Sequence, residues 1–137
     1  MTKHSLFVCT TCASVWQNGK KVGISGGEKL LDRLYDGHQN WDLREDVSIE
    51  PVACMSACSH SCAIAFAAPG KYTYLFGDLS DREETLPDIC AAVLDCASQY
   101  FAKPDGLLPW SERPEALKKG TIARIPPLPE LSKSAIE

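Results

Sequence analysis

Five of the seven cysteines fall in two short stretches: Cys9-Thr10-Thr11-Cys12, and the run Val52 to Ala63 (VACMSACSHSCA), where Cys54, Cys58 and Cys62 recur every four residues. Thiols gathered this way in a chain that opens MTKHSLFVCTTC, with no basic region followed by an apolar run and a cleavage site, point to a metal or iron–sulfur site before they point to disulfides. No 18 apolar residues follow one another, so no membrane helix is expected. The expected setting is cytoplasmic.

Several chemistries fit those thiols. An iron–sulfur cluster takes four thiolates from two facing loops and is moderated by backbone N–H groups of small residues. Here the loops carry Thr10, Thr11, Ala13 and Ser14 on one side and Ser56, Ala57, Ser59 and Ser61 on the other. A C-x2-C pair with a distant C-x3-C is a fairly specific pattern for it, and the fifth thiol, Cys62, leaves open which four bind. Zinc is the nearest competitor, because its structural sites also use two short cysteine pairs. A Rieske-type centre needs two histidines at paired spacing, and Cys58-x-His60 is half of one. A dithiol oxidoreductase needs its first cysteine at a helix N-terminus. The helical pattern here starts only at Glu28, across a Gly-rich loop, so that activation is not expected at the pair. Cys90 and Cys96 lie within a helical stretch, on or near its apolar stripe, and read as small core hydrophobes.

The histidines add little. His4 is expected at the surface, His38 as a solvated cap after a helix stop, and His60 as a loop residue that would tune a cluster if one is bound beside it. No Ser/His/Asp order, phosphate-binding Gly loop or carboxylate pair stands out, so the protein is not expected to be an enzyme.

The elements that must position the thiols follow from periodicity. SLFV (5–8) is a short apolar run read as a buried strand ending at Cys9. Residues 11–27, with Asn18-Gly19, Gly23 and Gly26-Gly27, carry turn and loop chemistry. EKLLDRLYDG (28–37) places Leu30, Leu31, Leu34 and Tyr35 at helical spacing, with Gly37 as its stop. VSIEPVA (47–53) reads as a second strand ending at Cys54, with Pro51 marking an edge. AIAFAA (63–68) and YTYLF (72–76) flank Pro69-Gly70-Lys71 as a hairpin. A long helix is expected from about Arg82 to Phe101, with Leu86, Ile89, Cys90, Val93, Ala97, Tyr100 and Phe101 on one side. A right-handed β-α-β unit makes the first two strands parallel and brings both cysteine stretches to their carboxyl ends, where open α/β sheets hold ligands.

The chain has 137 residues, enough for one domain with a core. Residues 1–101 hold 8 Lys+Arg against 13 Asp+Glu, and 102–137 hold 6 against 5. An acidic body argues against non-specific nucleic-acid binding and suits either solubility or a basic partner surface. Six prolines after Phe101 (104, 109, 114, 126, 127 and 129) prevent a long helix, so residues 102–137 read as a Pro-rich C-terminal extension. Trp110 and IARIPPL (122–128) are too apolar for a free linker and suit packing along the body or a homodimer contact.

On the strand ending in Cys9, the segment VACMSAC (52–58), the hairpin AIAFAAPGKYTYLFGDLS and the helix after it, the chain resembles the thioredoxin-like [2Fe-2S] ferredoxins, a group that includes the small cluster-bearing subunit of respiratory complex I. Through the cysteine segments, KYTYLFGDL and RPEALKKGTIARIPPL, it more closely resembles a family of small bacterial predicted metal-binding proteins, over nearly the whole chain. The resemblance implies a thioredoxin-like α/β domain over 1–101 and a [2Fe-2S] cluster held by Cys9, Cys12, Cys54 and Cys58. It further implies a one-electron carrier or redox sensor that meets a redox protein partner. Three departures bear on this. The first pair is closer together than is usual in those ferredoxins, Ser56 stands where they carry Gly, and Cys62 where they carry Pro. A ligand set including Cys62, or another nuclearity, stays open. The alternative function is a metal-binding accessory protein that stores or delivers zinc or another soft metal, five thiols for four positions permitting ligand exchange.

Overall fold

The computed structural model describes residues 4–10, 15–23, 25–53, 62–79, 84–118 and 120–127. Strand β1 (His4–Cys9) is followed by a small hairpin, β2 (Val15–Gln17) and β3 (Lys20–Val22). Helix α1 (Gly26–His38), strands β4 (Val47–Val52), β5 (Ile64–Ala67) and β6 (Thr73–Phe76), helix α2 (Leu86–Ala102) and strand β7 (Thr121–Ile125) complete the chain. The main sheet has the order β4-β1-β5-β6-β7. Only β1 and β4 are parallel, with His4 opposite Val47 and Cys9 opposite Val52; every other pairing is antiparallel. The expected β-α-β unit and the hairpin of residues 63–76 are both present, and Pro51 does lie on an edge strand.

The core follows from strand alternation. Leu6, Phe66 and Tyr74 form one row across the sheet and Val8, Ile64 and Phe76 the next, all buried. Against them lie Leu30 and Leu34 of α1 and Leu86, Val93, Ala97 and Tyr100 of α2. The Phe66 ring stacks on Tyr100 at 5.6 Å and meets Phe76 edge-on at 5.7 Å, arrangements that aromatic quadrupoles favour.

Several local expectations differ from the structure. Gly37 does not stop α1; it lies inside the helix, where a Cβ would come within 2.9 Å of the Leu94 side chain of α2. Its missing side chain lets the two helices approach, which periodicity along one segment cannot show. His38 is the last helical residue, half-buried, with Nε2 2.8 Å from the Val47 carbonyl. His4 is buried rather than superficial, its ring packed on Phe101 at 4.7 Å and edge-on to Tyr100. Asn18-Gly19 is the turn of a β-hairpin rather than part of a plain loop, with both residues at positive φ (53° and 78°), as a two-residue hairpin turn requires. Helix α2 starts at Leu86; Asp81 to Glu83 lie outside the described residues.

The segment after Ala102 lies along the body. Leu108 and Leu117 are buried in the core, and β7 pairs with β6 as the far edge of the sheet. Arg113 holds this segment in place. Its guanidinium donates to the Leu108 carbonyl at 2.8 and 3.0 Å and to Thr121 Oγ1 at 2.7 Å, over the faces of Tyr74 and Phe76. Lys71, from the β5–β6 turn, closes the end of α2, a helix with no basic residue in its last turn. Its buried ammonium donates to the Tyr100 and Phe101 carbonyls at 2.9 and 3.0 Å, where the helix dipole favours a cation. Burial pulls its pKa below the ordinary lysine value, with Asp105 opposing.

Because Leu117 packs in the core, removing its side chain should cost as much as at any other core position. Leu117→Ala is expected to lower unfolding stability by about 2–5 kcal/mol, and Trp110→Ala, at an exposed site, by about 1 kcal/mol or less. Urea unfolding of the two variants measures both; equal, small losses would show that the segment adds nothing to the core.

Candidate metal centre

Strand β1 ends where both of its neighbours hold it. The Cys9 N–H donates to the Ala63 carbonyl at 3.0 Å, toward β5, and the Thr10 N–H to the Val52 carbonyl at 2.8 Å, toward β4. The Thr10 hydroxyl donates to the same Val52 oxygen at 3.3 Å. Cys9 is 1% exposed, and its Sγ lies 4.0 Å from the carbonyl of Ala53, the residue bonded to Cys54. Cys62 reaches the same end of the sheet. The pairing of Val8 with Ile64 continues to Cys9 with Ala63, so Cys62 lies one residue further on, buried, with its N–H on the Leu79 carbonyl at 3.2 Å.

The structure therefore brings Cys9, Cys62 and the residue before Cys54 to one sheet edge, the carboxyl end of the parallel pair. Cys12, Cys54 and Cys58, and with them His60, lie outside the described residues. Among the described residues, no three of His, Cys, Asp and Glu come close enough to hold a metal ion.

The start of α1 packs on the same edge. Ser25 is its N-cap and forms a capping box. Its hydroxyl accepts from the Glu28 N–H at 3.1 Å, while its own N–H donates to Glu28 Oε1 at 2.9 Å. That hydroxyl also donates to the Thr10 carbonyl, at 2.5 Å. A Cβ on Gly27 would lie 2.0 Å from the Cys9 carbonyl oxygen, so only glycine fits there. The helix begins across the Gly-rich loop, at Gly26, and the fold packs that start on the carbonyls of Cys9 and Thr10. A Ser-x-x-Glu signature ahead of the apolar stripe was the available signal for that start.

The donor chemistry fits a sulfur-bound metal group. A buried thiol sits at an edge from which two cysteine-bearing segments continue, and the start of α1, with Glu28 in its first turn, packs on the carbonyls of Cys9 and Thr10. Cys90 and Cys96 of α2 differ. Burial pushes the Cys90 thiol up to about 11, with Arg33 opposing and Asp36 adding, and the Cys96 thiol up to about 12, with Arg113 opposing and Asp95 adding. They are inert core thiols, as their place on the helix stripe implies.

The architecture defines a class: a thioredoxin-like α/β protein. Two solved structures share it. One is a thioredoxin-like [2Fe-2S] ferredoxin from Aquifex aeolicus, with a TM-score of 0.53, 14% identity, and coverage of 89% of this chain and 92% of that one. The other, the wild-type thioredoxin-like [2Fe-2S] ferredoxin from Aquifex aeolicus at 1.5 Å resolution, has a TM-score of 0.51, 16% identity, and coverage of 88% and 97%. At such identities the likeness establishes the fold. The chain itself belongs to the family described as a protein of unknown function, DUF1636, whose pattern matches residues 6–127. No curated protein matches it significantly. Among the described residues, no helix is long and apolar enough to cross a membrane.

The buried thiols of α2 give a pH prediction. Their folded pKa values lie above the ordinary thiol value of 9.0, so the native state keeps protons that the unfolded chain releases. The stability this represents is complete below pH 9 and is lost as the pH rises toward 11 and 12. Unfolding free energy should fall over that window by about 2 kcal/mol or more, since a tenfold difference in proton affinity between the two states is worth about 1.4 kcal/mol. A Cys90→Ala/Cys96→Ala variant should show a shallower slope, read from urea unfolding at stepped pH; an unchanged slope would remove these thiols as its cause.

Proposed function

We propose that this protein is an iron–sulfur protein of the thioredoxin-like ferredoxin type, a one-electron carrier or redox sensor with no substrate chemistry of its own. The observation that carries the reading is the position of Cys9. Its thiol is buried at the shared carboxyl edge of β1 and β4, from which the chain continues to Cys12 on one side and Cys54 on the other. Cys9, Cys12, Cys54 and Cys58 would hold a [2Fe-2S] cluster, and Cys62 is the reserve thiol. Such a cluster, when bound, accepts and returns one electron. The chain's own residues would set its surroundings: Cys9, buried at the end of β1, would exclude water, and the start of α1 would pack on the peptide after Cys9. The fold shared with two [2Fe-2S] ferredoxins supports this reading, as does the cysteine spacing. A redox protein with a basic docking surface is the partner that the acidic body suits.

The test is anaerobic purification with iron, sulfide and zinc analysis, visible absorption, and EPR of the reduced sample. The expected result is about two irons and two sulfides per chain, with visible bands that bleach on reduction. Cys9→Ser, Cys12→Ser, Cys54→Ser and Cys58→Ser should each abolish or severely alter the spectrum, and Cys90→Ser and Cys96→Ser should leave it intact. A colourless protein with one zinc per chain after cluster reconstitution would replace this reading with metal storage or delivery. An unaltered spectrum in Cys54→Ser would defeat the ligand assignment.

A further inference from the structure

We propose that two copies of this chain associate through the open face of the main sheet, about a two-fold axis that runs along the strands between β5 and β6. Strand alternation gives the sheet two faces. One carries Leu6, Val8, Ile64, Phe66, Tyr74 and Phe76 and, among the described residues, takes both helices and Leu117. The other face follows from the same register as two rows. Phe7 of β1, Ala65 of β5, Leu75 of β6 and Ala123 of β7 form the first; Ser5, Ala67, Thr73 and Ile125 form the second. None of these side chains is charged, although 23% of the chain is. An antiparallel sheet whose outer face meets water carries polar residues there, whereas β5, β6 and β7 turn outward Ala, Ala, Thr, Leu, Ala and Ile. Ala65 apart, the two rows are half-buried, and Ile125 is 51% exposed. Four strands and the length of β7 make the face about 19 Å by 17 Å, or about 300 Å² of largely apolar surface, the size at which a patch marks an association site.

The order of side-chain sizes selects the occupant. From β1 to β7 the first row runs large, small, large, small: Phe7, Ala65, Leu75, Ala123. Turned about the proposed axis, this row faces its own reverse. Phe7 meets Ala123 of the second copy and Leu75 meets its Ala65, and the two reciprocal contacts complete the row. In the second row Ser5 meets Ile125 and Ala67 meets Thr73. Large against small lets two sheets interdigitate at the usual spacing, and reciprocity is what a two-fold interface demands. A two-fold across the strands would instead set each strand on its own copy, and β5, with only alanines on this face, would leave a gap at the centre. Ser48 and Glu50 of β4 have no strand opposite them in the proposed dimer, so the one carboxylate on this face stays at the rim, in water. Because the axis follows the strands, both copies of β1 run the same way. The two Cys9 strand ends then lie at one end of the dimer, about 18 Å apart, from three strand spacings and one sheet spacing.

The test is sedimentation equilibrium of the full chain from micromolar to submillimolar concentration, with circular dichroism and urea unfolding as checks of the fold. The wild type should reach a dimer. Ile125→Glu puts a charge on the face at a half-exposed site that tolerates it, and should weaken association about tenfold or more. Ser5→Lys should weaken it likewise. An equimolar mixture of the two variants should associate again, because one reciprocal contact becomes an ion pair and the other is wild type. Ser48→Lys, on the strand outside the overlap, should neither weaken the dimer nor rescue Ile125→Glu. A wild type that stays monomeric over the whole range overturns the proposal and leaves the face to a different protein. A dimer that Ile125→Glu leaves unchanged overturns it too, and loss of that dimer in Trp110→Ala would move the contact to the proline-rich segment. Rescue by Ser48→Lys equal to that by Ser5→Lys overturns the register. None of these readouts depends on a bound metal, so they stand apart from the iron–sulfur reading.

Discussion

The parallel pairing of β1 with β4 is the constraint from which the site follows. Two parallel strands cannot be joined by a tight turn; the chain must cross over, and α1 makes the crossing. With Cys9 opposite Val52 the two strands end side by side, so the chain leaves both at one edge. The helix matches them in length: its 13 residues rise about 20 Å, as do the six of β1. Its far end is marked by His38 at the Val47 carbonyl, where β4 begins, and its near end by Ser25 at the Thr10 carbonyl, where β1 has finished. The helix runs opposite to the strands it joins, so its N-terminus lands at their carboxyl edge. The carboxyl ends of both strands and the start of the helix thus share one place because of topology.

Much of this was legible in the sequence, and what was not has a common cause. The strand before Cys9, the strand before Cys54, the 63–76 hairpin and the two amphipathic helices show as periodicity, because each buries one face against the core. What failed concerned contacts between segments distant in sequence. Gly37 has the local signature of a helix stop, and the helix runs one residue past it, to His38, whose Nε2 meets the Val47 carbonyl. His4 looks like a polar residue near a terminus, and only the rings of Tyr100 and Phe101 explain its burial. The N-cap of α1 is 16 residues from Cys9 along the chain, and only the crossover shows that the helix start packs on the Cys9 and Thr10 carbonyls. Of the five clustered thiols, Cys9 and Cys62 are placed together at the sheet edge.

The cysteines divide by environment rather than by residue type. Cys90 and Cys96 point from the interior of α2 into apolar packing, where ionisation is costly and the thiols stay protonated far above their usual range. Cys9 is just as thoroughly buried, but it lies at the end of a strand, with its Sγ 4.0 Å from the Ala53 carbonyl and its own carbonyl against Gly27 of α1. Burial is common to all three; what differs is position, at a strand end for Cys9 and inside a helix for Cys90 and Cys96.

The proline-rich segment shows how the lateral edges of the sheet are closed. Prolines at 104, 109 and 114 rule out a continuous helix, but the backbone between them still has to satisfy its polar groups. It does so through two short helical turns, Arg113, and finally β7, a proline-free stretch that pairs with β6 before Pro126-Pro127. At the other side of the sheet, β4 carries Glu50 and Pro51 on its outer half. A charge and a proline on one lateral edge, and a proline pair closing the strand on the other, discourage growth of the sheet by further strands. With both sides blunted, the sheet ends at β4 and β7, and its growth by a further strand is disfavoured at either one.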